Sequence, residues 1–228
     1  LDHEKHALAI KERIGFVYDE NHFYEELTVL EMKNMIRPFY RKWDEDLFHK
    51  YVNEFNLPLK KQIKHLSKGM KMKFSLAIAL SHHAELLIMD EPTSGLDPII
   101  RNELLEILQS IILDADKSVF FSTHITSDLD KIADFITIIN NGEILLSKTK
   151  DELLEEYCIV KGKKEILPLV SGEHFIGLRE NKYGFEALAS NKREVIKRFG
   201  NSVIIEKPDL EDIMLFAVRR GESYVSSY

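Results

Sequence analysis

Apolar residues along this chain fall into two rhythms. Dense short runs, Ile14-Gly15-Phe16-Val17-Tyr18 and Leu86-Leu87-Ile88-Met89, predict buried strands, and Val119-Phe120-Phe121-Ser122 predicts a further strand. Between them the apolar positions recur at helical spacing. Thr28 to Tyr40 is predicted helical, with Pro38 bending or ending it. Asp44 to Phe55 sets Leu47, Phe48, Tyr51, Val52 and Phe55 on one stripe, and Asn56-Leu57-Pro58 stops it. Ser67 can cap a helix running to about His82, with Phe74, Leu76, Ala77, Ile78 and Leu80 apolar. Asp97-Pro98 suits the start of a long helix to Leu113, and Ser127 to Ala133 reads as a short one. Ile136 to Ile139 and Glu143 to Leu146, joined through Asn140-Asn141-Gly142, predict a hairpin with a primed turn.

Strands alternating with helices from Ile14 to Ile139 predict an α/β core with a parallel sheet. The helices between Thr28 and Lys64 come without strands and so form an insertion, a helical subdomain over about residues 26–82. From Lys150 the texture changes to short mixed segments. A hairpin around Phe175 to Ala189, a strand at Val203 to Glu206 and a helix at Asp209 to Val218 are expected there. A boundary near Lys148 divides residues 1–148 from an accessory region over 149–228 that offers no catalytic constellation.

Composition narrows the function classes. Of 228 residues, 44% are hydrophobic and 30% charged, an ordinary globular balance. A net charge of −7 argues against a general nucleic-acid binder, and no nucleic-acid partner is expected. One cysteine, Cys158, excludes an internal disulfide framework and fits a reducing cytosol. The apolar runs are too short to cross a bilayer, and the polar start Leu1-Asp2-His3-Glu4 gives no sign of a signal peptide.

Chemistry concentrates at the strand ends. Asp90-Glu91 closes an apolar run: one carboxylate there can hold Mg²⁺, and its neighbour can polarise an attacking water. Taken alone, the pair reads first as a buried strand ending at a solvated acidic turn. Ser67-Lys68-Gly69-Met70 opens a helix, where a hydroxyl, a glycine amide and the helix dipole together suit phosphate. Ser94-Gly95-Leu96-Asp97 follows the acidic pair, and Ser122-Thr123-His124 ends the next strand. His124 can donate to a phosphate oxygen or simply terminate a strand.

In this order, Leu66-Ser67-Lys68-Gly69-Met70, then Leu87 to Pro98 with Asp90-Glu91-Pro92-Thr93-Ser94-Gly95-Leu96-Asp97, then Ser122-Thr123-His124, the chain resembles the ATP-binding subunit of an ATP-binding-cassette (ABC) transporter of the bacterial exporter type. The resemblance covers Ile14 to Leu146, and Pro208-Asp209-Leu210-Glu211-Asp212-Ile213 looks more loosely like the tail of such subunits. It implies an N-terminally incomplete P-loop NTPase-like parallel sheet with a helical insertion and a small α/β extension. It further implies ATP and Mg²⁺ as cofactors, with Asp90 on the metal, Glu91 as general base and His124 sensing the γ-phosphate. Ser67, Lys68, Gly69 and Met70 would form the signature that acts across a cassette dimer, and Ser94, Gly95 and Asp97 the loop linking the two sites. The implied partners are a second nucleotide-binding subunit and an integral membrane subunit, which places the protein at the cytoplasmic face of the membrane. Tyr24, Phe39, Tyr40 and Trp43 are candidate docking contacts or packing residues of the insertion. A soluble non-transport ABC ATPase and a non-catalytic module are the alternatives.

Three departures stand out. The signature has Lys68 and Met70 where the family usually has glycine and glutamine. The loop after the first strand has Asp19 where the family presents a glutamine to Mg²⁺. The loop Gly-x-x-x-x-Gly-Lys-Ser/Thr is not found; Gly172 and Gly177 share its glycine spacing but are followed by Leu178-Arg179. The chain is therefore expected to be the later part of a cassette protein and inactive alone.

Overall fold

A computed structural model describes residues 2–20, 22–170, 175–219 and 223–225. The chain's contacts divide it into two units, Leu1–Ile125 and Thr126–Tyr228. The first contains α1 (Ala7–Lys11), β1 (Ile14–Val17), α2 (Val29–Ile36), α3 (Glu45–Glu54), α4 (Lys68–Ser81), β2 (Leu86–Asp90), α5 (Pro98–Ile112) and β3 (Ser118–Ser122). Its sheet has the order β1-β2-β3, with both pairings parallel: Gly15 lies opposite Leu87, and Leu87 opposite Val119. Parallel neighbours need long crossovers. The block α2–α4 supplies the first and α5 the second, so all three carboxyl ends lie along one edge.

Local signals set the helix starts. Thr28 and Glu31 form a reciprocal capping box on α2, Asp44 caps α3 through Leu47 N–H, Ser67 caps α4, and Asp97 caps α5 with Pro98 in the first turn. Proline ends α2 as the spacing predicts: a single 3-10 turn, Arg37–Phe39, follows it. The helix α4 has no solvent stripe; every residue from Met72 to Ser81 is buried. It lies so close to β1 that a Cβ on Gly15 would stand 2.5 Å from Ala79 Cβ, which only glycine permits. Lys33 is buried on α2, where its ammonium meets Glu45 at 2.5 Å above the Phe48 ring; Trp43 donates to the same carboxylate at 2.9 Å. At the far end of α4, His82 stacks on Tyr40 with ring centroids 3.8 Å apart.

The second unit contains α6 (Thr126–Ile132), β4 (Phe135–Asn140), β5 (Glu143–Thr149), α7 (Lys150–Glu156), β6 (Cys158–Gly162), β7 (Phe175–Glu180), β8 (Phe185–Ala189), α8 (Lys192–Phe199), β9 (Ile204–Glu206), α9 (Leu210–Val218) and β10 (Ser223–Val225). β4 and β5 form an antiparallel hairpin, and Asn141 and Gly142 both take positive φ, the primed turn the sequence predicts. The remaining strands form a mixed sheet in the order β10-β7-β8-β6-β9. Cys158, Val160, Phe185 and Ala187 face one core with Val195 and Phe199, while Ile159 and Leu188 face another with Ile136, Leu153, Leu210 and Ile213.

Several expectations are corrected. The division falls between Ile125 and Thr126 instead of near Lys148, because Ile136 on β4 shares a core with Leu153, Ile159 and Leu188. Thr149, the last residue of β5, is also the N-cap of α7, so the chain passes the predicted boundary without a linker. β4 does not extend the parallel sheet; its partner is β5. The strands β1 and β3 are covered incompletely: β3 is an edge strand on which Phe120 is 65% exposed. Helices α1, α7 and α8, and strand β6, were not predicted from the periodicity. Among the described residues, no helix is long and apolar enough to cross a membrane. Gly172 lies outside the described residues.

Candidate functional site

The carboxyl edge of β1-β2-β3 gathers the polar residues of the first unit. A parallel sheet presents its ligand side there, because the chain must leave each strand through a loop at that edge. Asp90 is the last residue of β2 and is exposed; Ser122, the last of β3 and its register partner, donates its hydroxyl to Asp90 Oδ1 at 2.6 Å. One carboxylate oxygen is thereby oriented and the other left for a further partner.

Glu91 follows with φ 44°. A non-glycine residue in the left-handed region costs about 1–3 kcal/mol and persists only where neighbours fix it. Ser122 does so: Glu91 N–H donates to the Ser122 carbonyl at 3.1 Å and to its hydroxyl oxygen at 3.3 Å. The turn is closed by Ser94 N–H on the Glu91 carbonyl at 3.1 Å. Aimed this way, the Glu91 carboxylate meets His124, whose Nδ1 is 2.9 Å from Oε1. The other oxygen, Oε2, is buried and has no hydrogen-bond partner among the described residues. His124 itself is open to solvent, its side chain 71% exposed.

A second cluster lies at the start of α4. Ser67 Oγ accepts from Met70 N–H at 3.3 Å, so the hydroxyl serves its own helix. Gly69 is buried where a Cβ would stand 2.4 Å from Ile100 Cγ2; the absence of a side chain lets α4 seat against the start of α5. Asp97 accepts from Ile99 and Ile100 N–H at 3.1 and 3.2 Å, which commits its carboxylate to capping. Lys68 reaches Asp19 in the loop after β1, with Nζ 2.6 Å from Oδ1. Gly95, at φ 69°, backs onto the same ammonium: a Cβ there would lie 3.6 Å from Nζ.

The structure thus brings Asp90 to Ser122, Glu91 to His124, Lys68 to Asp19 beside Gly95, and Gly69 to the α5 start. Met70 is half-buried, and its amide is engaged by Ser67. Of the docking candidates, Tyr24 and Phe39 are exposed, while Tyr40 and Trp43 are occupied by His82 and Glu45. Sequence reasoning noted Ser122 without giving it a role. Its signal is its place at the end of the strand beside Asp90, where a hydroxyl can orient a carboxylate.

The donor set suits a hard cation held mainly by its substrate. Among the described residues no cluster of three or more His, Cys, Asp or Glu side chains forms a metal cage. Mg²⁺ commonly uses one or two carboxylates and takes its remaining ligands from phosphates and water. Asp90, with one oxygen oriented and the other unassigned, fits that role. Asp19 is engaged by an ammonium.

Residues 2–94 match the family model described as ABC transporter. The chain is 26% identical over 158 residues to the ABC transporter ATP-binding protein YtrB of Bacillus subtilis, an alignment covering 69% of this chain and 54% of that protein. It is 35% identical over 148 residues to the lantibiotic transport ATP-binding protein SrtF of Streptococcus pyogenes, covering 63% of this chain and 64% of that one. The chain therefore spans about half to two-thirds of the length of these curated relatives. A solved ATP-binding subunit of an ABC transporter superposes with a TM-score of 0.59 at 26% identity, covering 68% of this chain and 66% of the other.

Proposed function

We propose, on the premise that the chain belongs to the ABC transporter family, that it is part of an ATP-hydrolysing subunit which couples nucleotide turnover to export through a separate membrane subunit. The observation that carries this reading is the Glu91 carboxylate. His124 holds one of its oxygens, and the other is buried without a partner among the described residues. A buried acceptor left unsatisfied is costly, which is the expected state of a base whose proton donor is a water that arrives with substrate.

The remaining residues take roles that follow from their placement. Asp90, steadied by Ser122, would hold Mg²⁺, which supplies charge neutralisation on the phosphates. His124 orients Glu91 and is exposed enough to turn toward a phosphate oxygen. Ser67, Lys68, Gly69 and Met70, at the α4 start, face the ATP of a second cassette, and Ser94, Gly95 and Asp97 join that surface to Glu91. The protein works at the cytoplasmic side of the membrane, beside a second nucleotide-binding subunit and a membrane partner. The 228 residues hold no Gly-x-x-x-x-Gly-Lys-Ser/Thr loop, so turnover is assigned to the whole protein.

Replacing Glu91 with glutamine in the whole protein tests the assignment. Loss of a positioned general base lowers turnover by about 10²- to 10⁴-fold, while equilibrium binding of ATP persists. Turnover at the normal rate would remove Glu91 from the mechanism.

A further inference from the structure

The two carboxylates of the site depend on one hydroxyl. Ser122 Oγ donates to Asp90 Oδ1 at 2.6 Å and accepts from Glu91 N–H at 3.3 Å, and the Ser122 carbonyl accepts from the same N–H at 3.1 Å. A hydroxyl has one proton to give and two lone pairs to offer. Here the proton goes to the side chain of one acidic residue and a lone pair to the backbone of the next.

The place of Ser122 in the sheet explains why it can do both. It is the register partner of Asp90 on the last rung between β2 and β3, where the strand ladder ends. Glu91 turns out of that rung at φ 44°, a conformation that persists only where neighbours hold it. Two residues beyond Ser122, His124 Nδ1 lies 2.9 Å from Glu91 Oε1. The segment from Ser122 to His124 therefore meets Asp90 at its carboxylate and Glu91 at both its backbone and its carboxylate.

We propose that Ser122 is a positioning residue that couples Asp90 to Glu91, so that the cation ligand and the base are set by one group; this rests on the ATP-hydrolysis reading above. Its hydroxyl occupies Asp90 Oδ1, which leaves Oδ2 as the oxygen offered to a cation. The same hydroxyl braces the strained Glu91 turn and so sets where that carboxylate points. A shift of Asp90 is passed to the Glu91 amide through a single oxygen atom. Ser122 transfers no proton to substrate and forms no bond with it; its part is placement. Alanine here would take the donor from Asp90 Oδ1 and leave Glu91 N–H to the carbonyl. Threonine keeps the hydroxyl and suits a strand end. Ser122 is exposed, so removal of its hydroxyl opens no core cavity.

The test uses the whole protein and two readouts. Ser122→Ala is expected to lower kcat by about 10- to 100-fold, the loss that follows a small misplacement of reacting groups, while ATP binding measured in EDTA stays unchanged. Combined with Glu91→Gln, its loss should be smaller than the product of the two single losses, because part of its effect passes through Glu91. The second readout is hydrogen exchange without metal or nucleotide. There Ser122→Ala should speed exchange at the Glu91 and Ser94 amides by about 2- to 10-fold, the range of one hydrogen bond. Ser122→Thr should restore both kcat and exchange. A Ser122→Ala variant with normal kcat, losses that multiply fully with Glu91→Gln, unchanged exchange at both amides, or no recovery with threonine overturns the coupling. Failure of the ATPase reading has a separate signature: no ATP binding by the unsubstituted protein, or unchanged turnover on Glu91→Gln alone.

Discussion

In the sheet β1-β2-β3 every strand delivers its carboxyl end to one edge, whereas in β10-β7-β8-β6-β9 three of the four pairings are antiparallel. Their strands are built from similar residues, apolar and β-branched or aromatic. What differs is the destination of the polar residues that follow them. On the parallel edge Ser122 meets Asp90 and His124 meets Glu91, while Asp19 stands in the loop after β1. In the mixed sheet the charges meet across the ladder instead: Lys161 lies between Glu206 at 2.7 Å and Glu186 at 3.5 Å, and Arg179 reaches Glu186 at 2.6 Å. Those charges neutralise one another on a surface and leave nothing aimed at a ligand. Strand direction, more than strand composition, decides where the polar residues that follow the strands go.

The contrast can be broken from the structural side. Phe185 is fully buried in the second unit, its ring pressed against Gly162. Phe185→Ala should cost about 3–5 kcal/mol of stability through lost burial and the cavity left behind. Denaturant unfolding measures the loss. In the whole protein, folded Phe185→Ala should bind ATP as before; a matching loss of affinity would show that the second sheet contributes to the site.

A smaller effect separates the two units by pH. Burial lowers the pKa of His82 below its ordinary value of 6.5; its Nδ1 bonds the Glu12 carbonyl, while Nε2 has no partner among the described residues. Below that value the unfolded chain binds a proton that the folded chain resists. Stability is therefore complete above pH 6.5 and is lost as pH falls through the depressed folded pKa. In the second unit, burial pushes the thiol of Cys158 up, and it stays neutral through this range. Melting curves between mild alkali and mild acid should show a slope that His82→Phe flattens, since phenylalanine keeps the stack on Tyr40 without the charge. An unchanged slope would exclude His82 as its source.

Much of the first unit was legible because its signals are local. Thr28, Asp44, Ser67 and Asp97 are side chains that cap the helix immediately after them, and each does so. Asp90 and Glu91 were legible as the end of an apolar run. The Asn141-Gly142 turn was legible because few residue pairs tolerate two positive φ values. The rest depends on contacts between segments far apart in sequence. Nothing near Asp19 announces Lys68, and nothing near β4 says that Ile136 will share a core with Leu188. β6 and β8 are apolar on both faces because two separate cores cover them, a fact no single segment encodes.

Glu91 also carries a conformational cost. Its left-handed backbone would sit more comfortably on glycine, and glycine would erase the carboxylate. On the reading proposed above, Glu91→Gly would raise thermal resistance and lose turnover together with the carboxylate. With the role proposed for Glu91, durability and chemistry favour different residues at this one position.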